Sequence, residues 1–469
     1  MKRTKILATY GPSIRSISRL RQLIAAGVNA FRVNCSHGDS DDFVEAASTI
    51  RKASAKSRFP IGLLFDISGP KLRLDRFEGK ITLKKGDRIT ITAGPSDLSR
   101  GVVGVNHPAI IESVKTGEQL LIDDGNMIFE IESATGKKVV AIAQHDGTLL
   151  PAKGINLPDT DIQIPTITKK DKKDIRTAVE AGADFIALSF VRSGDDIIEA
   201  RRLLKKYGGH QKIIAKLEKR EAIDRLDEIM MLTDGVMVAR GDLGVELPPA
   251  ELPRLQKRII RLANRHNCPV IVATQMLESM RFSPRATRAE INDVASAVFD
   301  NADAVMLSAE TATGEYPLEA VRMMAATIDA AEDECVQPIV EIDQHLIKTP
   351  IAYTIAGAVR SSDTFCHARL IVALTTSGYT AALISNLFPP QPIIALSPNP
   401  QVMNHLTLYR SVYPVPLEML SSFDEMIHAV NNVCLKNRLV SKGDRVIITG
   451  GAPFGSKVPT NFMMIHEIV

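Results

Sequence analysis

Eight short apolar segments rich in β-branched residues alternate with longer segments of helical period along most of this 469-residue chain. The segments are residues 5–9, 29–34, 61–66, 185–190, 212–216, 235–239, 270–274 and 304–308. Runs of this kind are typical of parallel strands that are buried on both faces. Eight strand and helix units that close on themselves predict an α/β fold, the (β/α)8 or TIM barrel.

One connection in this series is much longer than the others. About a hundred residues separate the third segment from the fourth, too many for a structureless loop in a compact domain. Residues 81–92, 120–132 and 137–144 alternate apolar and polar side chains between turns that contain glycine, which is the pattern of antiparallel strands. We therefore expect an inserted small β-barrel domain that acts as a lid over the large barrel.

A third unit follows the eighth helical segment. After the polar stretch 332–350, strand-like runs recur at 370–374, 392–396, 411–415 and 445–449, and a closing strand is expected at 462–468. This alternation predicts an open C-terminal α/β domain. The expected division is 1–67 and 158–333 for the barrel, 68–157 for the lid and 334–469 for the C-terminal domain.

Composition narrows the classes of partner. A net charge of +3, 5% aromatic residues and no tryptophan argue against nucleic-acid binding. Five cysteines occur singly without a CxxC pair, which favours a reducing cytoplasm over a disulfide framework or a zinc site. No secretion signal and no apolar run long enough to span a bilayer are evident, so we expect a cytoplasmic protein without membrane contact.

Reactive side chains recur where the predicted barrel strands end. Active sites of such barrels lie at the carboxyl ends of the strands. The strand-end residues are Arg32, Asn34, Asp66, Ser189, Lys216, Glu218, Asp242, Thr274 and Ser308. Glu218 and Asp242 come from neighbouring strands and suit one Mg²⁺ ion, which usually takes one or two carboxylates. Gly241 and Asp242 also open a predicted helix whose N–H groups suit a carboxylate or phosphate, so the substrate is expected to be small and anionic.

Longer strings in the sequence carry a family resemblance. They are KILATYGP (5–12), FRVNCSHG (31–38), DISGPKLR (66–73), VARGDLGVE (238–246), VATQMLESM (272–280), TRAE (287–290) and MLSAETA (306–312). In sequence and order they resemble the signature segments of pyruvate kinases. The resemblance implies transfer of the phosphoryl group of phosphoenolpyruvate to ADP, giving pyruvate and ATP, with Mg²⁺ (or Mn²⁺) as cofactor. It also implies a homotetramer.

The resemblance assigns a role to each matching position. Glu218 and Asp242 match the Mg²⁺ ligands, and Lys216 matches the lysine that neutralises the phosphoryl group during transfer. Ser189 and the backbone of Gly241 match the groups that meet the substrate carboxylate. Thr274 stands at the family's position for protonating the enolate, with Ser308 expected to belong to a water chain that supplies the proton. The phosphate clamp and nucleotide region are matched by Arg32, Arg73, Lys170, Pro12, Asn34 and His37.

The monovalent-cation site departs from the pattern of the potassium-dependent members. Asn34, Ser36 and Asp66 match that site, but Ile67 and Lys71 stand where those members carry a threonine and a glutamate. The resemblance therefore implies a vestigial site in which the Lys71 ammonium replaces K⁺, and K⁺ is not expected to be required. The alternative is a solvated Lys71 with K⁺ still bound by the three remaining residues.

A loop in the C-terminal domain matches the family's effector-phosphate pocket. Its residues are Thr375, Thr376, Ser377, Gly378 and Thr380, and the segment 450–457 is expected to face them. A sugar phosphate or a nucleoside monophosphate is the expected activator. Fructose 1,6-bisphosphate is not expected, because enzymes that respond to it tend to carry lysine at the position of Thr376. The alternative is an ordinary turn between a strand and a helix.

Two rival functions remain compatible with such a barrel. A Mg²⁺-dependent aldolase or lyase of 2-keto acids also holds pyruvate enolate near a Glu and an Asp, but it needs neither a nucleotide lid nor a third domain. A catalytically silent metabolite sensor needs only the C-terminal domain, and the presence of Lys216, Glu218, Asp242 and Thr274 argues against it. Formation of pyruvate from phosphoenolpyruvate and ADP distinguishes the three.

Overall fold

The first part of the large barrel is built from three parallel strands and two helices. The computed structural model describes residues 1–162, 164–334, 349–456 and 458–469. The elements are β1 (Lys5–Thr9), α1 (Ile17–Ala26), β2 (Ala30–Asn34), α2 (Ser40–Ser54) and β3 (Gly62–Ile67). Asp39 caps α2 by accepting from the N–H groups of Asp41 and Asp42, and Gly27 ends α1 with a φ of +118°. These caps satisfy backbone groups that the helix ends leave without partners.

The long insertion after β3 is a separate β domain. Its elements are β4 (Ile81–Leu83), β5 (Arg88–Thr92), β6 (Val102–Gly104), α3 (Ala109–Ser113), β7 (Gln119–Ile122), β8 (Met127–Ala134), β9 (Lys138–Ala143), β10 (Gly147–Leu149) and β11 (Ile155–Asn156). Its described strands form a six-stranded sheet in the order β11-β7-β8-β9-β5-β6 and a two-stranded sheet of β10 and β4, with β5 and β6 parallel. The hydrogen bonding is therefore shared between two sheets that enclose one apolar core.

The chain then returns to complete the large barrel. The elements are α4 (Lys169–Glu180), β12 (Phe185–Leu188), α5 (Gly194–Lys206), β13 (Lys212–Leu217), α6 (Arg220–Asp224), α7 (Leu226–Leu232), β14 (Gly235–Ala239), α8 (Arg240–Glu246), α9 (Leu252–Arg265), β15 (Val270–Ala273), α10 (Arg288–Phe299), β16 (Ala304–Leu307), α11 (Ala309–Ala312) and α12 (Pro317–Asp333). Eight parallel strands close in the order β1-β16-β15-β14-β13-β12-β3-β2. The predicted (β/α)8 barrel is confirmed.

The C-terminal domain is an open five-stranded sheet. Its elements are α13 (Pro350–Ser361), α14 (Asp363–Cys366), β17 (Leu370–Leu374), α15 (Tyr379–Ser385), β18 (Ile393–Ser397), α16 (Pro400–His405), β19 (Val412–Pro416), α17 (Phe423–Lys436), β20 (Arg445–Gly450) and β21 (Phe462–Glu467). The strand order is β19-β18-β17-β20-β21, and only the β20–β21 pair is antiparallel among the described strands. The predicted α/β layer is confirmed.

The C-terminal domain covers the amino-terminal end of the barrel. Leu408 belongs to the same buried cluster as the barrel-interior residues Leu7, Phe185 and Met237. The N–H of Ser411 donates to the carbonyl of Arg3, just before β1, over 2.8 Å. The carboxyl ends of the strands are thereby left for the insertion and the site.

Three parts of the predicted organisation lie partly outside the described residues. Residues 335–348, which follow the predicted boundary at 334 and make up most of the polar stretch 332–350, are not described. Lys457, at the end of the segment 450–457, is not described either. The domain boundaries therefore stay predictions. No helix within the described ranges is both long and apolar enough to cross a bilayer.

Candidate active site

Lys216 is the centre of a cluster of strand-end side chains. Its Nζ lies 2.7 Å from Glu218 Oε1, 3.2 Å from Asp66 Oδ1 and 2.7 Å from Ser189 Oγ. Burial alone would lower the pKa of Lys216, but the carboxylates of Asp66 and Glu218 raise it above its usual value. The structure therefore holds a buried, fully charged ammonium group where β3, β12 and β13 end.

Asp66 joins Lys216 to a second cation. Its Oδ2 accepts from Arg32 Nε over 2.6 Å, and Arg32 also donates to Thr9 Oγ1 over 3.2 Å. Burial tends to raise the pKa of Asp66, but Lys216 and then Arg32 hold it below its usual value. Asp66 is thus an anion that fixes two cations at the mouth of the barrel.

Glu218 and Asp242 are the two carboxylates expected to bind a divalent cation. Burial and the neighbouring charge of Asp242 raise the pKa of Glu218, against the opposing effect of Lys216. Glu218 Oε2 accepts from the N–H of Phe190 over 2.8 Å, whereas no described residue gives the Asp242 carboxylate a hydrogen bond or ion pair. Two neighbouring carboxylates suit a hard divalent cation, which relieves their repulsion.

These carboxylates supply only part of a coordination shell. No group of three or more His, Cys, Asp and Glu suited to a metal occurs in the described part of the chain. Asp242 lines a cavity of about 360 Å³ that lies between the barrel and the insertion and also includes Lys71, Arg73 and Lys219. Two carboxylates beside an open, cationic cavity fit Mg²⁺, which takes its remaining ligands from water and substrate oxygens.

Thr274 lies directly after β15, beside the start of α8. Its Oγ1 accepts from the N–H of Gly241 over 2.8 Å and donates to the carbonyl of Ala273 over 2.6 Å. Ser308 follows β16, and its Oγ is buried without a hydrogen-bond partner among the described residues. The site therefore contains one hydroxyl that both donates and accepts and one buried hydroxyl without a partner among the described residues.

Comparison with known proteins identifies the family. Residues 1–321 match the family model described as pyruvate kinase, barrel domain, and residues 353–466 match pyruvate kinase, alpha/beta domain. The chain belongs to the pyruvate kinase family. Pyruvate kinases of similar sequence include one from Sporosarcina psychrophila (40% identical, 100% of this chain, 81% of the relative) and one from Agrobacterium vitis (40% identical, 99% and 98%).

A solved structure supports the same assignment. The crystal structure of a pyruvate kinase from Cryptosporidium parvum is 34% identical, with a TM-score of 0.93 over 100% of this chain and 96% of that chain. The chain is thus a phosphotransferase of glycolysis with pyruvate kinase function, and family membership implies phosphoenolpyruvate and ADP as substrates and a divalent metal requirement. The aldolase or lyase alternative is set aside.

The residues expected to bind phosphates in this pyruvate kinase lie around the same mouth. Arg73 donates to the carbonyl of Ala152 over 2.9 Å and lines the cavity. Lys170 is half exposed and donates to the carbonyl of Cys35 and to Asp174 over 2.6 and 2.5 Å. Partial burial, and then the positive charges of Lys71 and Arg73, lower the pKa of the exposed His37, so its ring is neutral at pH 7.

Pro12, the remaining nucleotide residue, is exposed at the start of the short 3-10 helix Pro12–Ile14, after β1.

The residues expected at the monovalent-cation site have other partners in the pyruvate kinase structure. Asn34 Oδ1 accepts from the N–H of Ser36 over 3.1 Å, and Asp66 is engaged by Arg32 and Lys216. Ile67 is fully buried. Partial desolvation and the charge of Lys216 lower the pKa of the exposed Lys71, while Asp66 raises it. Lys71 therefore stands within electrostatic reach of the cluster.

Two buried groups of the site were missed by sequence reasoning. The Glu310 carboxylate accepts from the N–H groups of Leu277 and Ser308 over 3.1 and 2.7 Å, which ties the loop after β15 to the end of β16. Glu246, at the end of α8, accepts from Asn156 of the insertion over 3.0 Å and from Lys219 over 2.6 Å. Both carboxylates lie inside segments that resemble the family, which could have drawn attention to them. Their hydrogen-bond partners are distant in sequence, so the sequence alone did not reveal these contacts.

Proposed function

We propose that this pyruvate kinase uses the cluster around Lys216 to transfer the phosphoryl group, with Mg²⁺ held by Glu218 and Asp242. The observation that carries the proposal is the position of the Lys216 ammonium, 2.7 Å from Glu218 and 3.2 Å from Asp66. Bound Mg²⁺ or Mn²⁺ supplies charge neutralisation to phosphoryl and carboxylate oxygens. Loss of turnover on neutralising Lys216 is the principal test of the proposal.

The cations of the site act on charge that moves during the reaction. The bond between phosphorus and the enol oxygen of phosphoenolpyruvate breaks while a bond to a β-phosphate oxygen of ADP forms. During this step negative charge spreads over the transferred group. Lys216 would face that charge as a fixed ammonium, and Asp66 holds the Arg32 guanidinium at the same mouth of the barrel. Preorganised charge of this kind stabilises the transition state because it needs no reorganisation during the step.

The second half of the reaction is protonation of the enolate carbon. We assign this side of the site to Thr274 and Ser308. The Thr274 hydroxyl donates to its neighbour's carbonyl, so it is a poor proton source by itself. The free hydroxyl of Ser308 supports a water chain that delivers the proton. Ser189 and the N–H of Gly241 are assigned to the substrate carboxylate.

We propose that the enzyme does not require K⁺, because the residues expected to bind K⁺ already have other partners. The side-chain oxygens of Asn34 and Asp66 already accept hydrogen bonds, and the Ile67 side chain has no oxygen. The Lys71 ammonium supplies a positive charge near Asp66 and Asp242. A tethered cation in this place provides the field that K⁺ provides in other members.

We expect full pyruvate formation from phosphoenolpyruvate, ADP and Mg²⁺ in a buffer whose only monovalent cation is a bulky organic one. Added K⁺ should change the rate less than about twofold, because Lys71 already carries the charge. Lys71→Glu should lower the rate at least about tenfold without K⁺. Lys115→Glu, on the insertion surface, is the matched control and should have no effect. Strong stimulation of the parent enzyme by K⁺ contradicts the proposal.

An effector site is proposed in the C-terminal domain. A cavity of about 120 Å³ is lined by the loop 375–380 and by residues 454–456 and 458–460. Thr376 and Ser377 are exposed, whereas Thr375 is buried and its Oγ1 accepts from the N–H of Gly378 over 2.9 Å. Hydroxyls and N–H groups around a cavity suit a phosphate, which supports activation by a sugar phosphate or a nucleoside monophosphate.

We expect at least one sugar monophosphate or nucleoside monophosphate to lower the phosphoenolpyruvate concentration that gives half-maximal rate. Ser377→Glu should abolish that response while basal kcat stays within about twofold, because a carboxylate repels the phosphate. The buried Thr375→Glu should do the same. Ser441→Glu is the control, because Ser441 is exposed and lies before β20, at the opposite end of the strands from the loop 375–380. If no such metabolite shifts the saturation curve, the site does not bind an activator.

Cytoplasmic location and a homotetramer complete the proposal. The four described cysteines are free and buried, which supports a reducing compartment. The homotetramer rests on family resemblance, and sedimentation equilibrium measures it directly.

A further inference from the structure

Arg240 bridges two neighbouring strand ends at the edge of the site. It is the first residue of α8, directly after β14, and only 8% of it is exposed. Its side chain reaches across to the end of β15, where NH2 donates to the carbonyl of Thr274 over 2.7 Å and Nε to that of Ala273 over 3.3 Å. NH2 also contacts Met276 Sδ at 2.8 Å. The guanidinium thus spans the turn that follows β15.

The turn that Arg240 spans has an unusual backbone. Thr274 and Gln275 have φ values of +68° and +55°. Two consecutive residues in the left-handed region are unfavourable without glycine, above all for a β-branched threonine. Such a conformation persists only where the surrounding structure enforces it. The two bonds from Arg240 to consecutive carbonyls, at residues 273 and 274, supply that restraint.

The guanidinium is itself anchored on its far side. Its NH1 lies 2.6 Å from the carboxylate of Asp293 on α10, which is one-third exposed. Arginine is suited to this place because its planar fork reaches two carbonyls and a carboxylate in fixed directions, which a lysine ammonium cannot do. A continuous chain of contacts therefore runs from α10 through Arg240 to Thr274.

We propose that Arg240 is a positioning residue for the proton-transfer half of the reaction. The inference rests on the role proposed above for Thr274. In that half-reaction the enolate carbon gains a proton, its C=C bond becomes C–C, and the C2–O bond becomes C=O; in reverse, the pyruvate methyl group loses a proton. Arg240 exchanges no proton and touches no reacting atom. It fixes the Thr274 hydroxyl, and through the bond to Gly241 N it fixes the adjacent carboxylate-binding backbone.

Arg240→Lys tests the role, because two rates report the two halves of the reaction. In D₂O with Mg²⁺ and ATP, exchange of the pyruvate methyl protons, followed by NMR, should fall about tenfold or more. First-turnover ATP formation from phosphoenolpyruvate and ADP, measured by rapid quench, should fall less than about threefold. Asp293→Asn weakens only the anchor of Arg240. It should lower the ratio of the exchange rate to the ATP-formation rate, as Arg240→Lys does, but by a smaller factor.

Arg51→Lys is the matched control. Arg51 also donates to two carbonyls, those of Ile61 and Gly182, and to a carboxylate, Asp184, but at the opposite end of the barrel. It should lower Tm without changing the ratio of the two rates. Equal losses in both rates for Arg240→Lys, or unchanged exchange, overturn the proposal. Thr274→Val tests the role of Thr274 separately from that of Arg240. If this variant leaves the exchange of the pyruvate methyl protons unchanged, the role of Thr274 is wrong, and the role of Arg240, which depends on it, is wrong too.

Discussion

Replacing Lys216 by methionine is expected to lower kcat by about 10²- to 10³-fold, the usual effect of removing one preorganised group that stabilises transition-state charge. The ammonium lies between Asp66 and Glu218, so its position is fixed before substrate binds. The KM for phosphoenolpyruvate should change less than about threefold, because the charge matters most when the phosphoryl group is in transit. Steady-state kinetics at saturating Mg²⁺ measure both constants.

Lys212→Met provides a control on the same strand. Lys212 opens β13 at the opposite end, is 44% exposed, and pairs with Asp234 over 2.9 Å. Since an exposed ion pair contributes little, its loss should leave kcat within about twofold. A Lys216→Met enzyme that keeps its kcat but loses affinity would show that the lysine serves ground-state binding only.

Asp242→Asn and Glu218→Gln are each expected to reduce activity by about a hundredfold or more at ordinary Mg²⁺, because each change removes a proposed metal ligand. Tm should change little in Asp242→Asn, because no described residue gives the Asp242 carboxylate a hydrogen bond or ion pair. Mn²⁺ titration followed by electron paramagnetic resonance measures the metal directly. The Kd for Mn²⁺ should rise at least about tenfold in both variants. Higher Mg²⁺ should restore part of the rate, since the remaining carboxylate still binds.

Glu251→Gln is the corresponding control for the metal site. Glu251 lies just beyond α8 and pairs with Arg254 over 2.9 Å, with 47% of its side chain exposed. It should bind Mn²⁺ and turn over as the parent enzyme does. Near-normal metal affinity in both Asp242→Asn and Glu218→Gln contradicts the assignment of these ligands.

Most of the barrel could be predicted from the sequence, because strands buried on both faces are continuous apolar runs. β1 and β14 have the predicted bounds, and the other barrel strands differ by one or two residues. The differences that matter for function are at the carboxyl ends. β12 ends at Leu188 because Phe190 takes a φ of +55° and donates to Glu218. β15 ends at Ala273 because Arg240 holds the next residue.

The insertion shows the limits of alternation as a signal. The predicted run 81–92 is two strands, because the chain turns at Gly86, whose φ is +91°. The run 120–132 is likewise divided where Asp123 and Asp124 take positive φ. Period-two alternation identifies β structure but does not count strands where a tight turn keeps the same pattern.

Within the site, the sequence predicted which residue types gather but not which partners they choose. The strand-end pattern predicted Lys216, Glu218 and Asp66 in one region, and the structure places the Lys216 ammonium in contact with both carboxylates. Asp66 was expected to serve a monovalent cation, and its contacts with Arg32 and Lys216 come from side-chain geometry that no spacing encodes. The same holds for Glu310, whose partners lie on two separate loops.

The two ends of the seven-residue helix α8 face different parts of the molecule: one end contributes to the site and the other contacts the inserted domain. Asp242 lies in its first turn, and Glu246 ends it with a bond to Asn156 of the inserted domain. A helix this short moves as one rigid piece, so a displacement that favours the metal ion also moves the bond to the insertion. Thermodynamic reciprocity then applies: if domain closure tightens metal binding by some factor, metal binding must favour closure by the same factor. With Asp242 as a proposed metal ligand, α8 is thus the element through which metal loading and closure of the inserted domain would be coupled.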